Sequence, residues 1–410
     1  MRERCERLDA HDPLAPLREE FHLPEGLVYL DGNSLGALPH RVRRRLQAVV
    51  DEQWGESLIA SWNRHGWIDL PETVGDKIAP LVGAAPGQVV CTDSVSVNLY
   101  KLLSSALELR PGRTVVLSQA DNFPTDLYMA QGLARQLGPA RCDLRLAGAA
   151  VIESALGPDV AVLMLTQVDF RTGTLLDMQR LTARAREHEI LTLWDLAHSA
   201  GVVPIALDDW GVDMAVGCGY KFLNGGPGAP AFLYLAKRHH EEARQPLSGW
   251  MGHLSAFDFS PEYEPAEGVR RFSSGTPGVL GTCALDAALD LFEEVDVERL
   301  RTKSLALTDL FIEALDTEPA LGDLVLLTPR EHTARGSQVS LSHPQGWAIS
   351  QALIDAGVVV DFRAPDIVRF GFSPMYNRYT DVADAVAALV DVLASRRFEE
   401  ARFQQRQGVT

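Results

Sequence analysis

Long apolar runs are missing from this 410-residue chain: none exceeds Val160 to Leu165, far short of a bilayer's thickness. Positive charge is scarce too, with 38 Lys and Arg against 55 Asp and Glu. The resulting net charge of −17 opposes attraction to nucleic acid or to anionic membranes, and leaves room only for a local basic pocket that takes one small anion. Cysteine is sparse and scattered, with five residues and no C-x-x-C, and the odd number leaves at least one unpaired within the chain. A reducing cytoplasm is the expected location. The opening "MRERCERLDAHDPLAP" has no apolar stretch of the secretory kind, so a soluble, unexported protein is expected.

Familiar nucleotide motifs are absent as well. No G-x-G-x-x-G follows a strand and no G-x-x-x-x-G-K-[ST] occurs, so dinucleotide and P-loop readings have no anchor. His188, His239 and His240 lack metal-ligand spacing and read as solvated. There is no internal repeat and no low-complexity linker.

What is present is alternation. Thr114 to Leu117, Asp126 to Leu137, Val160 to Leu165, Asp177 to Glu189, Ile190 to Trp194 and Met214 to Cys218 read as strand, helix, strand, helix, strand, strand. That pattern predicts an α/β domain on a mostly parallel sheet. Further on, helical stretches from about Leu285 through Leu315 precede strand-like "LVLLTP", "SQVSLS", "VVVDF" and "IVRFGF". With a helix over Trp347 to Ala356 and a closing one from Asp381 to about Arg396, these predict a second, α+β domain.

Ligands of open α/β sheets bind beyond the carboxyl ends of the strands, and unusual residues gather there. In "LWDLAHSAG", Asp195 closes a buried run with His198 three residues on. A carboxylate leaving water needs a cationic partner or a cluster of N–H donors, so Asp195 is either a turn or helix cap or the acid of a site. In "GCGYKFLNGGPG", Tyr220 and Lys221 end the next strand, and Lys221 is either a snorkelling surface amine or one poised to form an imine. An acid that keeps a ring nitrogen protonated and an amine that captures an aldehyde are together what pyridoxal phosphate (PLP) requires. "TDSVSVNLYK" offers a hydroxyl-rich turn opening a helix, either a phosphate cradle or a plain Ser cap at Ser94 or Ser96. "DNFPTD" offers Phe123 as a stacking ring and Asp126 as a second carboxylate, or else a core Phe beside a Pro turn.

Taken in order, "YLDGNSLG", "NFPTDLY", "WDLAHSAG", "GCGYKFLNGGPG" and "PLSGWMGH" resemble kynureninase, the bacterial form more than the animal one, over nearly the whole chain. The resemblance implies PLP fold-type I in the aspartate aminotransferase superfamily: a seven-stranded, mostly parallel sheet flanked by helices, plus a smaller C-terminal α+β domain. Its implied division is an N-terminal segment, 1–45, packing with the small domain, a large PLP-binding domain, 46–290, and the small domain, 291–410. The implied activity is hydrolysis of L-kynurenine to anthranilate and L-alanine in tryptophan catabolism by a homodimer.

The same resemblance gives Lys221 as the residue holding the PLP aldehyde and Asp195 as the partner of the ring nitrogen, with Asp126 supporting that side and Phe123 stacking on the ring. Val95, Ser96, Thr166, His198 and Tyr220 would contact the cofactor or its phosphate, and Trp250 and Thr276 would reach the phosphate of the other subunit. Tyr220 would move a proton. Arg369 would clamp the substrate carboxylate, the alternative being a surface strand arginine, and Ser34, Trp62 and Gly275 would also meet the substrate. Where animal members carry His and Ser-Asn near the substrate ring, this chain has Trp62 and Gly275-Thr276, which implies preference for kynurenine over its 3-hydroxy form. Rival readings are a cysteine desulfurase-like lyase, which needs a nucleophilic Cys on a loop, and a PLP-holding protein without catalysis.

Overall fold

The computed structural model describes residues 1–406. Its large sheet is built from β1 (Val89–Cys91), β2 (Val115–Gln119), β3 (Asp143–Ala147), β4 (Val160–Thr166), β5 (Leu191–Asp195), β6 (Met214–Cys218) and β7 (Ala231–Leu235), in the spatial order β1-β7-β6-β5-β4-β2-β3. Neighbours from β3 through β6 run parallel, whereas β7 is antiparallel to both β6 and β1. Strands covered on both faces need no polar alternation, and β4 through β7 are buried along their whole length.

Alternate residues of each strand feed two cores. On one face Val116, Met164, Leu193 and Val216 meet Leu99, Leu103 and Leu127 of the helices Val95–Leu109 and Pro124–Leu137. On the other, Leu117, Leu163, Trp194 and Ala215 meet Leu181 of Met178–Glu187 and Leu285 of Val279–Leu289.

The second sheet, β8 (Val325–Leu326), β9 (Gln338–Ser342), β10 (Asp361–Arg363) and β11 (Ile367–Gly371), is antiparallel in the order β8-β9-β11-β10. It shares a core with the helices Val297–Thr317, Gly346–Asp355 and Tyr379–Ala394. The amino-terminal helix Arg2–Asp9 adds Cys5 to that core. Asp9 caps Tyr379–Ala394 by accepting from the Tyr379 and Thr380 N–H groups at 2.7 and 3.0 Å. Asp12 forms a buried ion pair with Lys303 at 2.7 Å. The helix His40–Ala48, by contrast, packs on Val279–Leu289 beside the large sheet.

Three features differ from the sequence expectation. "VVVDF" is two strands: Val358–Val359 pairs in parallel with Val28–Tyr29, and the chain turns at Val360 into β10. β3 is partly exposed along its length, so it lacks the apolar run that marks a covered strand. His239 is buried, with Nε2 2.7 Å from Asp213 Oδ1, and so is not solvated.

Candidate active site

Parallel strands deliver their carboxyl ends to one edge, and register brings Asp195 of β5 opposite Thr166 of β4 and Val216 of β6. Lys221 follows β6 directly, so the sheet itself juxtaposes the acid and the amine. The N-terminal motif closes the turn: Gly36 donates its N–H to the Tyr220 carbonyl at 2.8 Å. A side chain on Gly36 would meet the Lys221 carbonyl at 2.4 Å, so only glycine permits this approach.

Lys221 Nζ lies 2.8 Å from His198 Nε2. Burial, with Arg369 and Arg363 adding to it, lowers the Lys221 pKa, and burial together with Lys221 holds His198 well below its ordinary value. The imidazole is therefore neutral and can accept from the amine.

Asp195 is buried and its Oδ1 accepts from the Ala197 N–H at 2.7 Å. The cap reading thus describes one oxygen of the carboxylate, not its environment. Fully buried Asp126 stands against it: burial and the Asp195 charge push the Asp126 carboxyl well above its ordinary range. Burial also raises Asp195, while Lys221 and the Ala197 N–H pull it back. Of the two carboxyls, Asp126 is pushed further toward its protonated form and Asp195 is the one pulled back toward its charge.

A polar chain behind them fixes the pair. Thr166 Oγ1 donates to Asn122 Oδ1 at 2.5 Å and reaches Asp126 Oδ2 at 3.3 Å, and Asn122 Nδ2 donates to Ser118 Oγ at 3.0 Å. Asn122, hidden in the "DNFPTD" turn, is a member of the site that the sequence reading passed over. Phe123 opens Pro124–Leu137, and the Phe170 ring abuts it edge-on with centroids 5.1 Å apart.

Asp126 Oδ1 and His198 Nδ1 are buried with no hydrogen-bond partner among the described residues. Buried polar atoms left unpaired are rare and costly, so these two mark a place shaped for a ligand with its own polar groups. PLP fits this donor set: a protonated ring nitrogen for the carboxyl pair and an aldehyde for the buried amine, whose pKa is lowered. A phosphate finds the start of Val95–Leu109, where Ser94 Oγ caps by accepting from the Val97 N–H at 3.3 Å and Val95 and Ser96 form the first turn.

Arg369 on β11 is buried, not on the surface. It stands directly across from Asp361 on β10 and forms a two-pronged pair with it, Nε donating to Oδ1 at 2.6 Å and Nη2 donating to Oδ2. Nη2 also reaches Ser34 Oγ at 3.0 Å, and Nη1 donates to the Phe170 carbonyl at 2.5 Å. One residue, Phe170, thereby touches both Phe123 and Arg369. Its loop is set by Asp169, whose Oδ1 accepts from the Thr172 N–H at 2.6 Å. Burial and Asp361 push Asp31 up to about 7 in the same cluster. Asp361, Asp31 and Phe170 were not singled out in the sequence; an Asp inside the apolar "VVVDF" run was the available signal for the first.

The remaining expected site residues form a second group in the chain. Trp250, Gly275 and Thr276 are exposed, held together by the Met251 N–H to Ser274 carbonyl bond at 3.2 Å. Trp62 packs against Trp67 with centroids 6.0 Å apart. Trp67, Gly275 and Thr276 line one cavity of about 610 Å³ together with Thr92 and Asp93.

Residues 300–389 match the family model described as the kynureninase C-terminal domain. The chain is 49% identical to the kynureninase of Pseudomonas fluorescens over 410 residues, 99% of each, and 54% identical to that of Deinococcus radiodurans over 391 residues, 94% of this chain and 95% of the relative. The chain belongs to the kynureninase family. Its fold is shared more widely. A cysteine desulfurase from Thermococcus onnurineus NA1 superposes with a TM-score of 0.78 at 18% identity, covering 93% of this chain and 98% of that one. A C-DES variant carrying glycine linked to its PLP cofactor does so with 0.79 at 21%, covering 91% and 99%. The expected fold-type I architecture of kynureninases is thus borne out. The desulfurase rival, however, finds no loop nucleophile: Cys218 lies buried in β6 and Cys283 in a helix core, and all five cysteines are buried.

Proposed function

We propose that the chain hydrolyses L-kynurenine to anthranilate and L-alanine with PLP bound at Lys221. The observation that carries this reading is the buried Asp126–Asp195 pair, with Asp126 Oδ1 left unpartnered, close to a buried amine of lowered pKa in a chain of the kynureninase family. PLP supplies an electron sink for the bond changes at the substrate's Cα and Cβ.

The chain's own groups do the rest. Asp195, backed by protonated Asp126, keeps a cationic ring nitrogen charged. Lys221, with a lowered pKa and with His198 holding Nζ, takes the Cα proton and returns one. Phe123 covers the ring, braced by Phe170. Val95 and Ser96 hold the phosphate with Thr166 close to the carboxyl pair. Burial raises the Tyr220 phenol, so it stays protonated and can donate while water adds at Cγ and the Cβ–Cγ bond breaks. Arg369 takes the substrate carboxylate on its Nη edge in exchange for its contacts with the Phe170 carbonyl and Ser34.

A homodimer supports the remaining roles, with Trp250 and Thr276 on the partner's phosphate and Trp62 and Gly275 around the substrate ring, where the bulk of Trp62 favours unhydroxylated kynurenine. Exposed Trp54, Ile59, Phe257 and Phe259 offer apolar surface for such a contact. The five free cysteines fit a cytoplasmic location.

The test is to give the PLP-loaded protein L-kynurenine and L-cysteine separately. Anthranilate fluorescence with an equal yield of alanine from the first supports the proposal. Alanine from cysteine alone would overturn it.

A further inference from the structure

Lys101 is a buried charge that none of the roles above uses. It lies inside Val95–Leu109 with no exposed surface, among Leu99, Leu102 and Leu103. Its ammonium has two partners: Asp93 Oδ2 at 2.5 Å and the Phe272 carbonyl at 2.5 Å. An ammonium taken out of water is tolerated only where acceptors are held close, so Lys101 pins both of them.

These two acceptors belong to different structures. Asp93 sits in left-handed backbone, φ 49°, immediately before the Ser94 cap of the phosphate turn. Phe272 ends the short helix Gly268–Phe272 and leads into Ser273–Thr276. That second segment is one unit with Trp250, through the Ser274 carbonyl to the Met251 N–H and Ser274 Oγ donating to the Leu247 carbonyl at 2.9 Å. Gly249 is part of the fit, since a side chain there would meet the Ser274 carbonyl at 2.1 Å.

We propose that Lys101 is a positioning residue that locks the phosphate turn of one subunit's site to the Trp250–Thr276 segment with which that subunit completes its partner's site. The proposal rests on the dimer and phosphate roles given under Proposed function. It makes the two phosphate sites of a dimer mechanically continuous: Lys101 holds the cis half of one and the trans half of the other. The turn has independent supports, because the Ala231 N–H reaches the Asp93 carbonyl at 2.9 Å and Asn98 Nδ2 donates to the Thr92 carbonyl at 2.8 Å. Loss of Lys101 should therefore loosen the sites without unfolding the turn.

Cofactor-free protein is titrated with PLP, following the visible absorbance of the lysine-bound form, after sedimentation has established the dimer. Lys101→Met should raise the PLP dissociation constant about tenfold, while kcat at saturating PLP stays within about threefold, since the altered contact lies outside the reacting atoms. An unchanged dissociation constant overturns the proposal. Mixed dimers isolate the trans half: an unaltered subunit is paired with one carrying Lys101→Met and Lys221→Ala, and compared with the same subunit paired with Lys221→Ala alone. Weaker binding at the unaltered subunit's lysine in the first pair is expected, and equal binding overturns the link between sites. Should Lys101→Met fail to fold, Asp93→Asn should produce a smaller weakening in the same direction, and no weakening there counts against the proposal. A monomeric protein would instead remove the dimer reading, and the cross-subunit role with it.

Discussion

Two buried carboxyl clusters, one at the large sheet and one at the second sheet, are finished to different degrees. Around Arg369 the guanidinium is answered, with Asp361 taking two N–H groups and Ser34 Oγ and the Phe170 carbonyl taking others, while Asp31 Oδ1 has no partner among the described residues. Around Lys221, Asp126 is pushed to hold a proton, and Asp126 Oδ1 and His198 Nδ1 are left without partners among the described residues. The acceptors around Arg369 fix the direction of its guanidinium before substrate arrives. An incomplete cluster is where a cofactor supplies what is missing.

The largest expected effect falls on the incomplete cluster. Lys221→Ala should lower kcat by roughly three orders of magnitude or more, because no other amine is placed to move the Cα proton. Asp195→Asn should cost roughly 10² to 10⁴ in kcat, since an amide cannot hold the ring nitrogen charged. Steady-state assays on PLP-saturated variants read both, and a near-native rate in either would dissolve the contrast between the clusters.

The Arg369 cluster should answer in binding. Arg369→Lys should reduce kcat/KM roughly tenfold to a hundredfold, mostly through KM, as a point charge replaces a planar fork.

Stability sharpens the comparison, because neutralising one carboxyl in each cluster should act with opposite sign. Asp361 has a lowered pKa, so its contribution is present above the unfolded value near ~3.9 and fades as pH falls. Asp361→Asn strands a buried guanidinium and should cost roughly 3 kcal/mol at pH 7. Asp126 has a raised pKa: the folded state binds the extra proton, so the cofactor-free protein loses stability as pH rises above the unfolded value. Asp126→Asn removes that loss. It should make the cofactor-free protein more stable than the unaltered one at pH 8, with the gap closing toward pH 4. Thermal unfolding of both variants across pH checks the signs, and a destabilising Asp126→Asn at pH 8 would contradict them.

How much of this was legible depended on locality. Asp195, His198, Tyr220 and Lys221 lie within a few residues of strand ends, so apolar runs and turn residues were enough to bring them to one edge of the sheet. The Phe123 and Asp126 pair was readable from its Pro turn in the same way. Asp361 was not, because its partner is a cross-strand neighbour and "VVVDF" reads as one strand when it is two. Phe170 was hidden because its use is divided: the ring serves Phe123 and the carbonyl serves Arg369, and neither relation has a sequence period. Lys101 carried no sequence signal of its own, and helix packing buries it completely.

In the proposed function, Asp195 and Asp126 await a cationic ring nitrogen. Loading the protein with PLP labelled with ¹⁵N in the ring and recording the nitrogen chemical shift tests this directly. A protonated pyridinium shift, lost in Asp195→Asn, is the predicted result. A neutral pyridine shift in the unaltered protein at pH 7 would contradict it.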